Sequence, residues 1–140
     1  FRTYRGFFKG TFYHFIGICC AYEVEHWAII KAVRFANQFG WKQLWIESDS
    51  MLAVEAFRQN SRKVPWWLLP QWIDCSSLSK NPVLKITHAY REVNMVANVL
   101  SKKAIEECCS WWPFVAPSFC ASIVDSDMKG STHTRFHKSP

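Results

Sequence analysis

The chain has 140 residues, 49% of them hydrophobic, a length and composition that fit one domain with a buried core. Its 17 Lys and Arg outnumber its 11 Asp and Glu, and the resulting net charge of +6 favours a polyanionic partner such as nucleic acid. No apolar run approaches the roughly 18 residues of a membrane span, so we expect a soluble protein with no membrane partner.

The cysteine pattern indicates free thiols. The six cysteines are Cys19, Cys20, Cys75, Cys108, Cys109 and Cys120. They include two adjacent pairs but no C-x-x-C spacing, and no basic start followed by an apolar segment marks the chain for secretion. A disulfide framework or a zinc site is therefore not expected. We predict buried free thiols in an intracellular protein, for which the nucleus is one option.

The first segment is rich in aromatic residues and predicts a β-hairpin. Phe1–Tyr4 and Phe7–Phe15 flank Arg5 and Gly6, where glycine tolerates the positive φ of a tight turn. The chain starts without methionine and already in a strand-like pattern, as if the hairpin were entered part-way. We therefore expect the sequence to be a fragment.

A helical period follows from Tyr22 to Phe39, and Gly40 is placed to cap the end of this helix. The residues expected on its apolar face are Glu25, Ala28, Ile29, Ala32, Ala36 and Phe39. Glu25 is thus predicted to lie on the side that meets the rest of the domain.

The next two elements indicate an α/β sheet. Lys42–Glu47 predicts a short buried strand, and Ser48-Asp49-Ser50 starts a helix that runs to about Gln59. A strand, a helix and a further strand in this order are typical of a sheet with helices packed on it.

The second half of the chain continues the alternation. After a polar break at Ser61–Pro65, the pattern of Trp66–Leu78 predicts a helix, in which Pro70 forces a kink or a later start. Val83–Tyr90 alternates like a strand, and Asn94 is a suitable N-cap for a helix over Met95–Glu107.

The domain itself is expected to span residues 1–109. Residues 110–140 are expected to form a basic C-terminal extension that is disordered from about residue 128.

Three positions predict a site for divalent cations. Glu25 on a helix, Asp49 after a strand and Asn98 in a late helix come from separate elements that can converge. Hydrolysis of a phosphodiester by two metal ions needs several oxygen ligands arranged in this way. Two plainer interpretations stay open on spacing alone: Asp49 caps the following helix, and Glu25 is a half-exposed helical carboxylate.

Four blocks carry a resemblance to a known family. They are Tyr22–Ala28, Leu44–Val54, Val64–Trp66 and His88–Ser101. In this order they resemble the ribonuclease H type 1 domain attached to plant retroelement reverse transcriptases, and the similarity covers about residues 1–104.

The resemblance implies the three-layer ribonuclease H-like fold, a mixed sheet flanked by helices, whose first, central strand is expected to be missing from this chain. It also implies hydrolysis of the RNA strand of RNA–DNA hybrids by two Mg²⁺ ions that four acidic residues hold.

The resemblance assigns roles residue by residue. Glu25 and Asp49 match two acidic metal ligands, and His88 matches a flexible-loop histidine that assists product or proton handling. Asn94 matches an asparagine that precedes the last helix. Asn98 stands where the family has its last aspartate, and the family's first aspartate has no counterpart.

The missing charges predict weak or absent metal binding. Asparagine offers a neutral carbonyl oxygen, and each lost carboxylate removes attraction worth several kcal/mol in a shielded cleft. The expectation is an inactive RNA–DNA hybrid ribonuclease, in which Glu25, Asp49 and Asn98 are the remaining metal positions and His88 is the assisting residue. For His88, a solvent-facing residue at the end of a strand is the plainer alternative.

A basic strip is the expected contact with nucleic acid. Its members are Arg58, Arg62 and Lys63, whose charges suit phosphates. Tryptophans follow it at Trp66, Trp67 and Trp72. They predict either base stacking or, at helical spacing, a place in the core. We therefore expect a monomeric ribonuclease H-like domain that binds RNA–DNA hybrids. A non-catalytic binding module and a pseudogene fragment are the alternatives.

Overall fold

The computed structural model describes residues 1–3, 5, 8–17, 20–59, 64–78, 83–108 and 117–128. Its elements in chain order are α1 (Ala21–Gln38), β1 (Gln43–Ser48), α2 (Met51–Arg58), a 3-10 helical turn (Trp66–Leu68), α3 (Leu69–Leu78), β2 (Val83–His88), α4 (Met95–Glu107) and α5 (Ala121–Met128). The chain divides into a sheet unit, Ile18–Tyr90, and a helical unit, Phe1–Gly17 with Arg91–Pro140. No described helix is long and apolar enough to span a membrane.

The sheet unit contains a parallel pair of strands. The register runs from Gln43 opposite Val83 to Ser48 opposite His88. Parallel pairing places the carboxyl ends of both strands at the same edge of the sheet. Helices combined with this sheet confirm the α/β class, whereas the larger flanked sheet of the ribonuclease H-like fold stays a prediction.

The interpretation of β1 as a fully buried strand is wrong. Leu44 and Ser48 are buried, whereas Gln43, Trp45 and Glu47 are exposed. Because successive side chains of a strand point to opposite faces, only one face of β1 meets the core. The alternation was not visible in the sequence, since Trp45 is apolar but lies on the solvent-exposed face of the strand.

Helix α1 ends as predicted, and its buried face agrees only in part with the expected one. Gly40 adopts a φ of +66°, and its N–H donates to the Asn37 carbonyl at 3.1 Å, which is a glycine C-terminal stop. Ala28 and Phe39, which were expected on the buried face, are exposed. The buried residues are His26, Ile29, Ile30, Val33 and Ala36. Ile29 and Ala36 belong to the expected face, whereas His26, Ile30 and Val33 extend the buried face beyond it, and α1 contacts α3 and β1.

The core of the sheet unit is built around Trp72 of α3. Its ring is 2% exposed and packs on Phe57 of α2 at 5.4 Å and on His26 of α1 at 4.9 Å between ring centroids. Trp72 is therefore a core residue, the plainer of the two interpretations. Trp66 and Trp67 are 79% and 49% exposed, so the core interpretation is wrong for this pair.

The helix after β1 begins within the predicted segment, and its N-cap is Ser50. The Ser50 hydroxyl accepts a hydrogen bond from the Ala53 N–H at 3.3 Å. Asp49 is therefore not the N-cap of this helix, and the interpretation of Asp49 as a simple cap is wrong. Farther along, α3 starts at Leu69 with Pro70 in its first turn, which is the later start that this proline predicted.

The helical unit contains the start of the chain and the last two helices. Arg2 and Phe8 form an isolated antiparallel bridge, which agrees with a chain reversal at Arg5. Tyr4, Gly6 and Phe7 of the predicted hairpin lie outside the described residues. Helix α4 has the predicted bounds.

Helix α5 was not predicted. It packs with α4 in a second core that consists of Tyr13, Leu100, Ala104, Cys120 and Val124. Its eight residues span about two turns, and no helical period was recognised in them from the sequence. Residues 129–140, the expected disordered tail, lie outside the described part of the chain.

Candidate functional site

The structure brings the two predicted carboxylates to one edge of the sheet. The Ser48 hydroxyl, at the end of β1, donates a hydrogen bond to Oε2 of Glu25 on α1 at 3.1 Å. Asp49 is the next residue along the chain, and both carboxylate residues are half-buried. We refer to this end of β1 and β2, with Glu25 and Asp49, as the carboxylate edge.

Ser48 holds three segments of the carboxylate edge together. Its hydroxyl also accepts a hydrogen bond from the Ser50 N–H at 3.2 Å, at the start of α2. Its backbone carbonyl accepts one from the Ala89 N–H at 2.9 Å, directly after β2. Ser48 is only 5% exposed, and removing one partner of a buried hydrogen bond costs about 1–3 kcal/mol of stability. Sequence reasoning missed this role, for which a hydroxyl residue directly before the strand-end aspartate was the available signal.

His88 lies at the same edge, paired in register with Ser48. Its side chain is half-buried, and its ring meets the ring of Tyr90 edge to face, with centroids 5.3 Å apart and an interplanar angle of 82°. The plainer interpretation, a histidine that simply faces solvent, is therefore incomplete. Tyr90 is 73% exposed and was missed by sequence reasoning.

A second histidine is buried behind Glu25. His26 is fully buried, with Nδ1 2.6 Å from the Tyr22 carbonyl oxygen, a distance at which Nδ1 carries the proton and donates it. Its Nε2 has no hydrogen-bond partner among the described residues. The ring lies 4.3 Å from that of Tyr22 and 4.9 Å from that of Trp72 between centroids. Burial lowers the pKa of His26, although the Tyr22 carbonyl opposes the shift.

Asn94 and Asn98 belong to the helical unit. Asn94 occupies the predicted N-cap position of α4, but its side chain makes no capping hydrogen bond. The Asn98 N–H donates to the Asn94 carbonyl at 3.1 Å within the first turn of the helix, and the Asn98 side chain is half-buried. A place for Asn98 beside the carboxylate edge stays a prediction.

The described residues do not fit the metal site that the resemblance implies. A pair of dications needs several negatively charged oxygen ligands to offset its charge. The carboxylate edge brings together two acidic residues, Glu25 and Asp49. In the part of the chain that the structure describes, no group of three or more His, Cys, Asp or Glu side chains is placed to hold a metal ion.

Arg58, the described member of the basic strip, has a structural contact. Its Nη2 donates to the Ile86 carbonyl at 3.0 Å. The Ala89 N–H donates to the Ser48 carbonyl of β1. Because the backbone groups of successive residues point alternately to the two sides of a strand, the Ile86 carbonyl points to the edge of β2 that faces away from β1. Arg58 thus covers part of this edge, while its other guanidinium N–H groups can still meet a phosphate. Arg62 and Lys63 lie outside the described residues.

Comparisons with known proteins agree with the sequence blocks. The family described as reverse transcriptase-like matches residues 1–104. A protein of Arabidopsis thaliana, provisionally named a ribonuclease H protein, is 28% identical over 136 residues, which cover 96% of this chain and 22% of that protein. The chain therefore spans less than a quarter of this relative's length. No solved structure matches the chain.

Proposed function

The chain belongs to the reverse transcriptase-like family, and we propose that it is a ribonuclease H-like domain that binds RNA–DNA hybrids without cutting them. The ribonuclease H-like identity inferred from the sequence is confirmed by this match. The single observation that carries the proposal is the composition of the carboxylate edge, where the structure brings together two acids, Glu25 and Asp49, against the four that the resemblance implies. We further propose that the domain acts as a monomer inside the cell.

The binding half of the proposal rests on charge. A net charge of +6 attracts a polyanion over several ångströms, and each phosphate contact releases a counterion. Arg58 is exposed at the surface of the sheet unit, and Arg62 and Lys63 follow it along the chain. Phosphate contacts of this kind position a nucleic acid without reading its sequence. We therefore expect binding that is weakly dependent on sequence.

The proposal that the domain does not cut RNA rests on the residues that are available to bind metal ions. Replacing a carboxylate by the Asn98 amide removes a full negative charge, and the attraction so lost is several kcal/mol at short range in a partly shielded site. The Glu25 carboxylate already accepts a hydrogen bond from Ser48 at 3.1 Å, which stabilises its charge without a cation. The two negative charges of Glu25 and Asp49 do not offset the four positive charges of two dications.

One observation favours retained hydrolysis as a second candidate. Glu25, Asp49 and His88 lie at the same edge of the sheet, which is the arrangement that the resemblance assigns to the active domain. A further carboxylate from outside the described residues would bring this edge closer to the family pattern. Direct assay distinguishes the two candidates.

The binding test uses the purified chain and a fluorescently labelled RNA–DNA hybrid. Anisotropy titrations should show binding whose affinity falls steeply as salt rises and differs little between hybrid sequences. Arg58→Gln should weaken binding and make the salt dependence shallower, whereas Gln59→Ala, at the neighbouring exposed position, is the matched control. No binding at low salt, or an affinity unaffected by salt, would contradict the proposal.

The cleavage test labels the RNA strand and adds Mg²⁺. We expect RNA to be cut no faster than in buffer alone. Cleavage that disappears in both Glu25→Gln and Asp49→Asn would overturn the non-hydrolytic half and establish the second candidate. Cleavage that persists in both variants would indicate a contaminating nuclease, and the non-hydrolytic half would stand.

A further inference from the structure

The loop that leaves β2 presents an aromatic ring at the carboxylate edge. Tyr90 lies two residues beyond β2, and 73% of it is exposed. A single exposed apolar residue is ordinary in a folded protein. The neighbours of Tyr90, rather than its exposure, indicate a function.

The backbone before Tyr90 is anchored to the site. The Ala89 N–H donates to the Ser48 carbonyl at 2.9 Å, and the Ser48 hydroxyl donates to Glu25 at 3.1 Å. Ser48 thus connects the first residue of the loop to the Glu25 carboxylate. Tyr90 follows directly, so the position of its backbone is fixed relative to Glu25.

The ring itself is supported on one side. His88 contacts it edge to face, with centroids 5.3 Å apart, a geometry that the quadrupoles of aromatic rings favour. Tyrosine has only two side-chain torsions, so holding its ring in one orientation costs little entropy. The solvent-exposed remainder of the ring is available to a ligand.

The two carboxylates of the edge disfavour a phosphate beside them. Glu25 and Asp49 repel a phosphate, whereas the ring of a base is uncharged and can stack on an aromatic side chain. Within a duplex, the faces of each base are already covered by neighbouring bases. The group that gains most from an exposed ring is therefore an unpaired nucleoside.

We propose that Tyr90 stacks on an unpaired nucleoside that a bound nucleic acid strand extends to the carboxylate edge, with its phosphates directed away from Glu25 and Asp49. This inference rests on the proposed function, because the strand must first bind. If Tyr90 stacks in this way, the domain prefers hybrids that carry a single-stranded overhang over blunt hybrids. Stacking releases no counterions, so Tyr90 contributes to affinity and leaves the salt dependence unchanged.

The test compares blunt and overhang hybrids across four variants. The wild type and Tyr90→Phe should both prefer the overhang, by roughly ten-fold for one stacked base. Tyr90→Leu keeps an apolar side chain but removes the ring, and it should bind both hybrids equally. Phe39→Leu makes the same change in an aromatic residue that is 45% exposed at the far end of α1, and it should keep the preference.

Further outcomes separate this inference from its premise. Absence of binding to either hybrid would contradict the proposed function itself. Equal affinity of the wild type for both hybrids, with binding intact, would overturn the Tyr90 inference alone. His88→Ala, the fourth variant, removes the ring that supports Tyr90, and it should weaken the preference without abolishing it. A preference that Tyr90→Leu leaves intact and His88→Ala abolishes would assign the stacking to His88 and contradict the role of Tyr90.

Discussion

Mild acid should destabilise the sheet unit, and the buried His26 is the cause. Its ring is fully buried between Tyr22 and Trp72, and its Nε2 has no hydrogen-bond partner among the described residues. A proton added to Nε2 would create a buried cation whose new N–H finds no acceptor there. Burial therefore lowers the pKa of His26 in the folded protein.

The sign of the pH dependence follows from proton binding. With a lowered folded pKa, His26 binds fewer protons in the folded chain than in the unfolded chain. Its stabilising contribution is complete above the ordinary histidine value of 6.5 and is lost as the pH falls below it. One proton changes the free energy of unfolding by at most about 1.4 kcal/mol per pH unit. The loss between pH 6.5 and pH 5 is therefore bounded by about 2 kcal/mol, against the roughly 5–15 kcal/mol of a typical domain.

Urea unfolding at a series of pH values measures this effect. His26→Phe keeps a flat ring between Tyr22 and Trp72 but cannot take up a proton, so its stability should change less with pH over this interval. His14→Phe removes an exposed histidine and should leave the pH dependence of the wild type in place. An equal loss of stability in His26→Phe and in the wild type would refute the reasoning.

Three further predictions concern single residues. Ser48→Ala should lower the free energy of unfolding by about 1–3 kcal/mol in urea titrations, because Glu25 loses a buried donor, whereas Ser77→Ala, on the exposed side of α3, should change it little. Burial raises the pKa of the Cys75 thiol to about 12, so Cys75 should resist a thiol reagent in the folded chain while the exposed Cys20 reacts. Equal reaction rates of the two thiols would contradict this. Asn98→Asp should strengthen Mg²⁺ binding in calorimetry more than it raises hybrid cleavage; unchanged Mg²⁺ affinity would contradict its assignment to the metal site.

The elements that the sequence predicted well are those with clear start and stop signals. Helix α4 has the predicted bounds because Asn94 marks its start and its pattern runs over 13 residues. Helix α1 was found within one residue at each end because Gly40 ends a long periodic segment. The buried face of α1 was predicted only in part, since periodicity gives the helix but not the neighbours that its side chains meet.

The candidate site was predictable only where chain order sets geometry. Asp49 and His88 follow or end parallel strands, so their common edge could be inferred before any contact was known. The hydrogen bond from Ser48 to Glu25 joins residues 23 positions apart, and no local pattern signals such a pairing. Tyr90 was missed for a similar reason, because its contact with His88 depends on how the loop leaves β2.

Hybrid binding measured with and without Mg²⁺, with the integrity of the RNA strand read from the same samples, tests the central claim most directly. The account predicts that Mg²⁺ changes affinity no more than its contribution to ionic strength does, and that the RNA stays intact. Tighter binding specific to Mg²⁺, accompanied by RNA cleavage that Asp49→Asn abolishes, would contradict it.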